Sequence, residues 1–133
     1  MVDPFIYCNP TKVYFGHDAM SHIHEELPRW GKNVLLVYGG GSIKESGIYD
    51  KVVDEIRKAG VSAYEISGVK PNPELPLAVK GARFCREAGI DLILAVGGGS
   101  VIDTAKVIAG SALYEGNLCP GFHQLPGISL IQG

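Results

Sequence analysis

The stretch Asp91–Lys106, DLILAVGGGSVIDTAK, constrains this chain more than any other. Leu92–Val96 is a short apolar run with the length of a buried strand. Gly97, Gly98 and Gly99 follow without a gap, and Ser100 comes next. Apolar residues then fall at Val101, Ile102, Ala105, Ile108, Ala109 and Ala112, the spacing of an amphipathic helix. A strand that passes through a glycine turn straight into a helix leaves unpaired N–H groups at the helix start, and the helix dipole adds partial positive charge there. Phosphate suits such a turn, and glycine removes the Cβ atoms that would block its close approach. A purely architectural reading stands beside this one. Ser100-x-x-Asp103 also fits a capping box, and Asp103 with Lys106 fits a solvated i, i+3 ion pair.

The same grammar recurs upstream. Val34–Tyr38 runs into Gly39-Gly40-Gly41-Ser42, so G-G-G-S occurs twice, each time after an apolar strand. A helix is predicted from near Ser46, with Ile48, Val52, Val53, Ile56 and Ala59 inward, Asp54 and Lys58 paired outside, and Gly60 as its C-terminal cap. Val61–Ile66 is a further strand. The Gly68–Pro73 loop follows, and Asn72 is placed to cap a helix that reaches about Ala88, buries Val79, Ala82 and Cys85, and ends at Gly89. Strand and helix alternating in this way predict a parallel sheet covered by helices, with both glycine turns on the edge where such sheets bind ligands. Before this series, Phe5–Cys8 and Lys12–Phe15 read as two short strands. A helix opening at Asp18 carries Met20, Ile23 and Leu27 on one face and is closed by Pro28. His17, His22 and His24 lack an i, i+4 pair, so metal ligation is not expected there.

A length of 133 residues suits one domain, with 46% hydrophobic residues to fill a core. The net charge of −2 offers nothing to nucleic acid or an anionic membrane. Cys8, Cys85 and Cys119 are odd in number with no CxxC, which predicts reduced thiols rather than a zinc site or a disulfide framework. The start, MVDPFIYCNP, is not a signal peptide, and no stretch is apolar enough for a membrane span. A cytoplasmic location is the expectation.

Four ordered motifs, NPTKVYFG at Asn9–Gly16, VYGGGSIKESG at Val37–Gly47, GVKPNP at Gly68–Pro73 and IDLILAVGGGSVIDTAKVIAG at Ile90–Gly110, resemble the iron-type (group III) alcohol dehydrogenases, nearest their butanol dehydrogenase-like branch. The resemblance spans about Phe5 to Asn117. It implies an α/β fold with a Rossmann-like parallel sheet flanked by helices, incomplete relative to the family's nucleotide-binding domain. Residues 1–117 would form a partial dinucleotide-binding domain. The family chemistry is hydride transfer between NAD(P) and primary alcohols or aldehydes. By resemblance, Gly97, Gly98, Gly99 and Ser100 would hold the pyrophosphate, and Asp103 would orient the ribose or the nicotinamide side. Gly39, Gly40 and Ser42 would face the adenosine ribose, and Asn72 would lie near the cofactor. No acid occurs between Val37 and Ile43, and Lys44 is close, which leans the specificity towards NADP rather than NAD.

The family's metal ligands, one Asp and three His, belong to a segment that this chain does not match. No catalytic residue and no metal ligand is therefore carried over. Iron or another divalent metal belongs to the complete family enzyme, and this chain alone is expected to be inactive. Residues 118–133, LCPGFHQLPGISLIQG, contain no Asp, Glu, Lys or Arg and match no family motif. Two expectations follow for them: a truncated or frameshifted gene product, or one more strand over Ile128–Ile131. Three alternatives to the family enzyme remain. They are a non-catalytic nucleotide-binding remnant, an interaction module that self-associates through an exposed sheet edge, and a glycerol dehydrogenase-like relative.

Overall fold

The computed structural model of the chain describes residues 3–70, 75–113 and 128–130. Its elements are α1 (Ile23–Trp30), β1 (Asn33–Tyr38), α2 (Ser42–Glu45), α3 (Ile48–Ala59), β2 (Ser62–Ile66), α4 (Leu75–Ala88), β3 (Leu92–Val96), α5 (Gly99–Ala112) and β4 (Ile128–Leu130). The sheet order is β3-β1-β2-β4. β1 pairs in parallel with both β2 and β3, and β4 adds antiparallel to β2. The expected α/β architecture is thus present as a three-stranded parallel sheet with an antiparallel addition.

β1 is the centre because it is apolar on both faces. Leu35 and Val37 point into a core shared with Ala78, Cys85, Val101, Ala105 and Ile108 of α4 and α5. Val34, Leu36 and Tyr38 point the other way, into a core with Leu27, Ile43, Val52 and Ile56 of α1, α2 and α3. An uninterrupted apolar run is what a strand covered on both faces requires. α3 ends at Gly60 in the left-handed conformation, and Asp54 and Lys58 pair at 3.4 Å, both as expected. α4 ends before Gly89, also at positive φ. Cys85 lies in the core, where burial pushes its thiol up to about 11.

Several expectations are corrected. Residues 3–15 contain no strand, and Phe5, Ile6, Tyr7, Val13 and Phe15 are exposed. Both edges of β1 are taken by β2 and β3, and an isolated pair of short strands is marginal in water. The helix expected from Asp18 begins as one 3₁₀ turn, Ala19–His22, before α1. Pro28 does not close α1 but lies inside it, and the helix ends two residues later at Trp30. On α5, Ile102 is exposed and Thr104 is buried, with its hydroxyl donating to the Ser100 carbonyl at 2.8 Å.

Two carboxylates tie the layers together. Glu55 of α3 is buried and accepts from His24 Nδ1 at 2.6 Å and from Lys58 Nζ at 3.0 Å. Burial pushes its pKa up, but the hydrogen bonds from His24 and Lys58 prevail and hold it at about 2. Asp91 accepts from the backbone N–H groups of Lys32 and Asn33 at 2.9–3.1 Å, so it fastens the start of β1 to the start of β3. Among the described residues, no helix is long and apolar enough to cross a membrane.

Candidate functional site

The register decides where the glycine turns lie. Tyr38, the last residue of β1, is paired with Val96, the last of β3. The chain leaves both strands at the same level, so Gly39 and Gly97 begin neighbouring turns on the C-terminal edge of the parallel sheet. A third loop joins them. Gly68 takes positive φ, its N–H donates to the Gly39 carbonyl at 2.8 Å, and the Val69 N–H donates to the Tyr38 carbonyl at 3.3 Å. Three loops that are distant in sequence therefore meet over the ends of β1 and β3.

The glycines of these turns divide into two kinds. Gly97 has φ +153, and a Cβ placed there would lie 2.7 Å from Val101 Cγ2. Gly39 has Val69 O at 3.3 Å and the same Val101 methyl at 3.7 Å from its would-be Cβ. Val101 is buried under both turns; Gly97 is needed for its turn to close over that valine, whereas a Cβ at Gly39 would press on the Val69 carbonyl and only touch Val101. Gly40, Gly41, Gly98 and Gly99 are different. A Cβ at any of them would meet no protein atom within 4 Å. They line open space on the outer side of the turns, a place where side chains would obstruct a ligand and not the fold.

α5 starts directly on this edge. Gly98 is its N-cap, and the Gly98 carbonyl accepts from the N–H groups of Val101 and Ile102. The capping box read from Ser100 and Asp103 does not form, because Ser100 is already inside the helix and no side chain caps it. Asp103 is exposed one turn further along. Ser42 is the exposed first residue of α2. Lys44 is held over the rings of Tyr38 and Tyr49, 5.6 and 4.8 Å from their centroids, beside the first turn. Asn72 lies outside the described residues. The structure thus gathers Gly39, Gly40 and Ser42 beside Gly97, Gly98, Gly99 and Ser100. The sequence reading missed the clamp of Gly68 and Val69 on the first turn and the role of Val101 beneath both. Gly68 at the head of a loop was the available signal for the clamp.

The family model for iron-containing alcohol dehydrogenase matches residues 10–127. The chain belongs to this family. It is 54% identical over 113 residues to the probable NADH-dependent butanol dehydrogenase 1 of Bacillus subtilis, a match covering 85% of this chain and 29% of that protein. It is 39% identical over 111 residues to the NADPH-dependent aldehyde reductase of Escherichia coli, covering 84% of this chain and 28% of that protein. The crystal structure of the NADH-dependent butanol dehydrogenase A of Thermotoga maritima superposes with a TM-score of 0.80 at 45% identity, over 86% of this chain and 29% of the other. The chain therefore spans about three tenths of the length of the relatives it matches. The family implies a nicotinamide dinucleotide and iron, and the two fare differently here. The open glycine positions fit the phosphates of the former. Among the described residues, no group of three or more His, Cys, Asp and Glu could hold a metal ion, so these residues do not fit the latter.

Proposed function

We propose that this chain is the dinucleotide-binding part of an iron-type alcohol dehydrogenase that interconverts primary alcohols and aldehydes. The observation that carries the reading is the pair of glycine turns side by side at the C-terminal sheet edge, with Gly40, Gly41, Gly98 and Gly99 open to an approaching ligand. The pyrophosphate lies over Gly97–Ser100 and takes hydrogen bonds from backbone N–H groups at the start of α5, aided by its dipole. Gly39, Gly40 and Ser42 face the adenosine ribose, and Asp103 orients the cofactor's ribose or its nicotinamide side. When bound, the nicotinamide supplies the hydride chemistry. This chain's own residues bind and orient it, and none of the described ones is assigned a catalytic or metal-holding role.

Both dinucleotides fit a turn without an acid. We favour NADP, because nothing between Val37 and Ile43 repels a 2′-phosphate and Lys44 stands nearby. A fluorescence titration tests both levels. NADPH is expected to bind saturably, and Gly98→Val is expected to abolish binding while leaving the fold intact, since φ at Gly98 is −85 and its surroundings are empty. Lys44→Ala is expected to weaken NADPH more than NADH. Equal binding by wild type and Gly98→Val would refute the phosphate cradle. An equal loss for the two cofactors in Lys44→Ala would refute only the NADP preference.

A further inference from the structure

Lys44 is exposed on α2, just after the first glycine turn, yet two aromatic rings hold its side chain. Its Nζ lies 4.8 Å from the ring centroid of Tyr49 and 5.6 Å from that of Tyr38. The two rings lean on each other, with centroids 5.4 Å apart and planes tilted by 58°. Among the described residues the Lys44 ammonium makes no ion pair.

The rings are fixed in different ways. Tyr38 ends β1 and is buried, so the sheet itself holds it. Tyr49 lies in the first turn of α3 and is half-buried. Its hydroxyl donates to Glu65 of β2 at 2.6 Å. Glu65 pairs with Leu36 of β1 and shares a strand face with Ala63, the face that α3 covers. Burial and the Glu65 carboxylate push the Tyr49 phenol well above its ordinary range, so it stays protonated and keeps donating. The Tyr49 ring is thus tied to the sheet at its far end and turns its face to Lys44. A lysine free in water loses most of its rotamer freedom when it pairs with a phosphate. One already restrained by a ring beneath its ammonium loses less, and the difference appears as affinity.

We propose that Tyr49 is a positioning residue for cofactor choice: its ring, tied to the sheet through Glu65, holds the Lys44 ammonium beside the first glycine turn, where it meets a 2′-phosphate on the adenosine ribose. This rests on the NADP reading given above and adds to it a residue that acts through Lys44.

Two measurements on the whole chain test it. The first needs no cofactor. A ring beneath the ammonium moves the neighbouring Cε protons of Lys44 upfield in the NMR spectrum. Tyr49→Leu is expected to reduce that shift and Tyr49→Phe to keep it. Lys44 protons at ordinary lysine positions in the wild type overturn the proposal, however well the variants fold. The second is titration with NADPH and with NADH. Lys44→Ala is expected to weaken NADPH roughly 10-fold relative to NADH. Tyr49→Leu is expected to weaken NADPH roughly 2- to 5-fold relative to NADH, the worth of one cation–ring contact, and to add nothing in the Lys44→Ala background. Tyr49→Phe, which keeps the ring, is expected to retain most of the preference. A merely structural Tyr49 would weaken both cofactors alike, and its effect would persist without Lys44; either result overturns the proposal and leaves the NADP reading standing. A Tyr49→Phe variant as poor as Tyr49→Leu also overturns it, by moving the effect from the ring to the hydroxyl. Equal losses for the two cofactors in Lys44→Ala, or no binding of either by wild type, overturn the underlying reading and this proposal with it.

Discussion

Gly97 and Gly98 are consecutive, yet replacing each by alanine should have opposite consequences. At Gly97 an alanine Cβ would sit 2.7 Å from Val101 Cγ2 and 3.1 Å from Val101 Cβ, on a backbone at φ +153. The positive φ costs about 1–3 kcal/mol in a residue with a side chain. Pressing on Val101 adds about 1–3 kcal/mol, because that valine is wedged under both turns and has little room to move. The two costs share one relaxation, so Gly97→Ala is expected to lose about 2–4 kcal/mol. At Gly98, φ is −85 and nothing lies within 4 Å of the new methyl. Gly98→Ala is expected to be neutral or to gain up to about 1 kcal/mol by reducing the freedom of the unfolded chain. Urea unfolding followed by circular dichroism measures both. Equal stability of the two variants would refute the division of the turn into a glycine that closes the fold and a glycine that faces open space.

Two further outcomes follow from the carboxylates. Asp91 is held below its ordinary pKa by the Lys32 and Asn33 backbone N–H groups, so Asp91→Asn should cost about 1–2 kcal/mol at neutral pH, and the difference should shrink as acid protonates the wild-type carboxyl; a difference independent of pH would show that the charge is irrelevant to these bonds. Glu55 titrates at about 2 in the fold against an ordinary 4.5, so its stabilisation is complete above 4.5 and is lost as pH falls towards 2. Melting curves of wild type and Glu55→Gln should therefore converge over that window, and parallel curves would contradict the role given to the His24 and Lys58 bonds.

The two glycine turns were legible to the degree that they are local. Each glycine turn announces itself by an apolar run before it and helical periodicity after it, and neither signal needs a distant partner. The same locality located Gly60 and Gly89 at helix ends and the Asp54–Lys58 pair. Glu55 and Thr104 went unread because charge and hydroxyl argue for solvent, although both lie on the inward side of their helices. The strands expected over Phe5–Cys8 and Lys12–Phe15 are absent for the opposite reason. The alternation of Lys12–Phe15 is that of a strand, but a strand exists only with a partner, and none of the described strands pairs with it.

Sequence alone therefore determined the alternation of strands and helices, the position of both turns and the family. Tertiary structure decided that β1 is central, that β3 rather than β2 sets the second glycine turn beside the first, and that Val101 lies beneath both. It also decided that Phe5, Ile6, Val13 and Phe15 face outward. Periodicity and backbone freedom act within a few residues and are written locally. Strand neighbours and burial depend on which distant surfaces meet, and that is settled only when the whole chain packs.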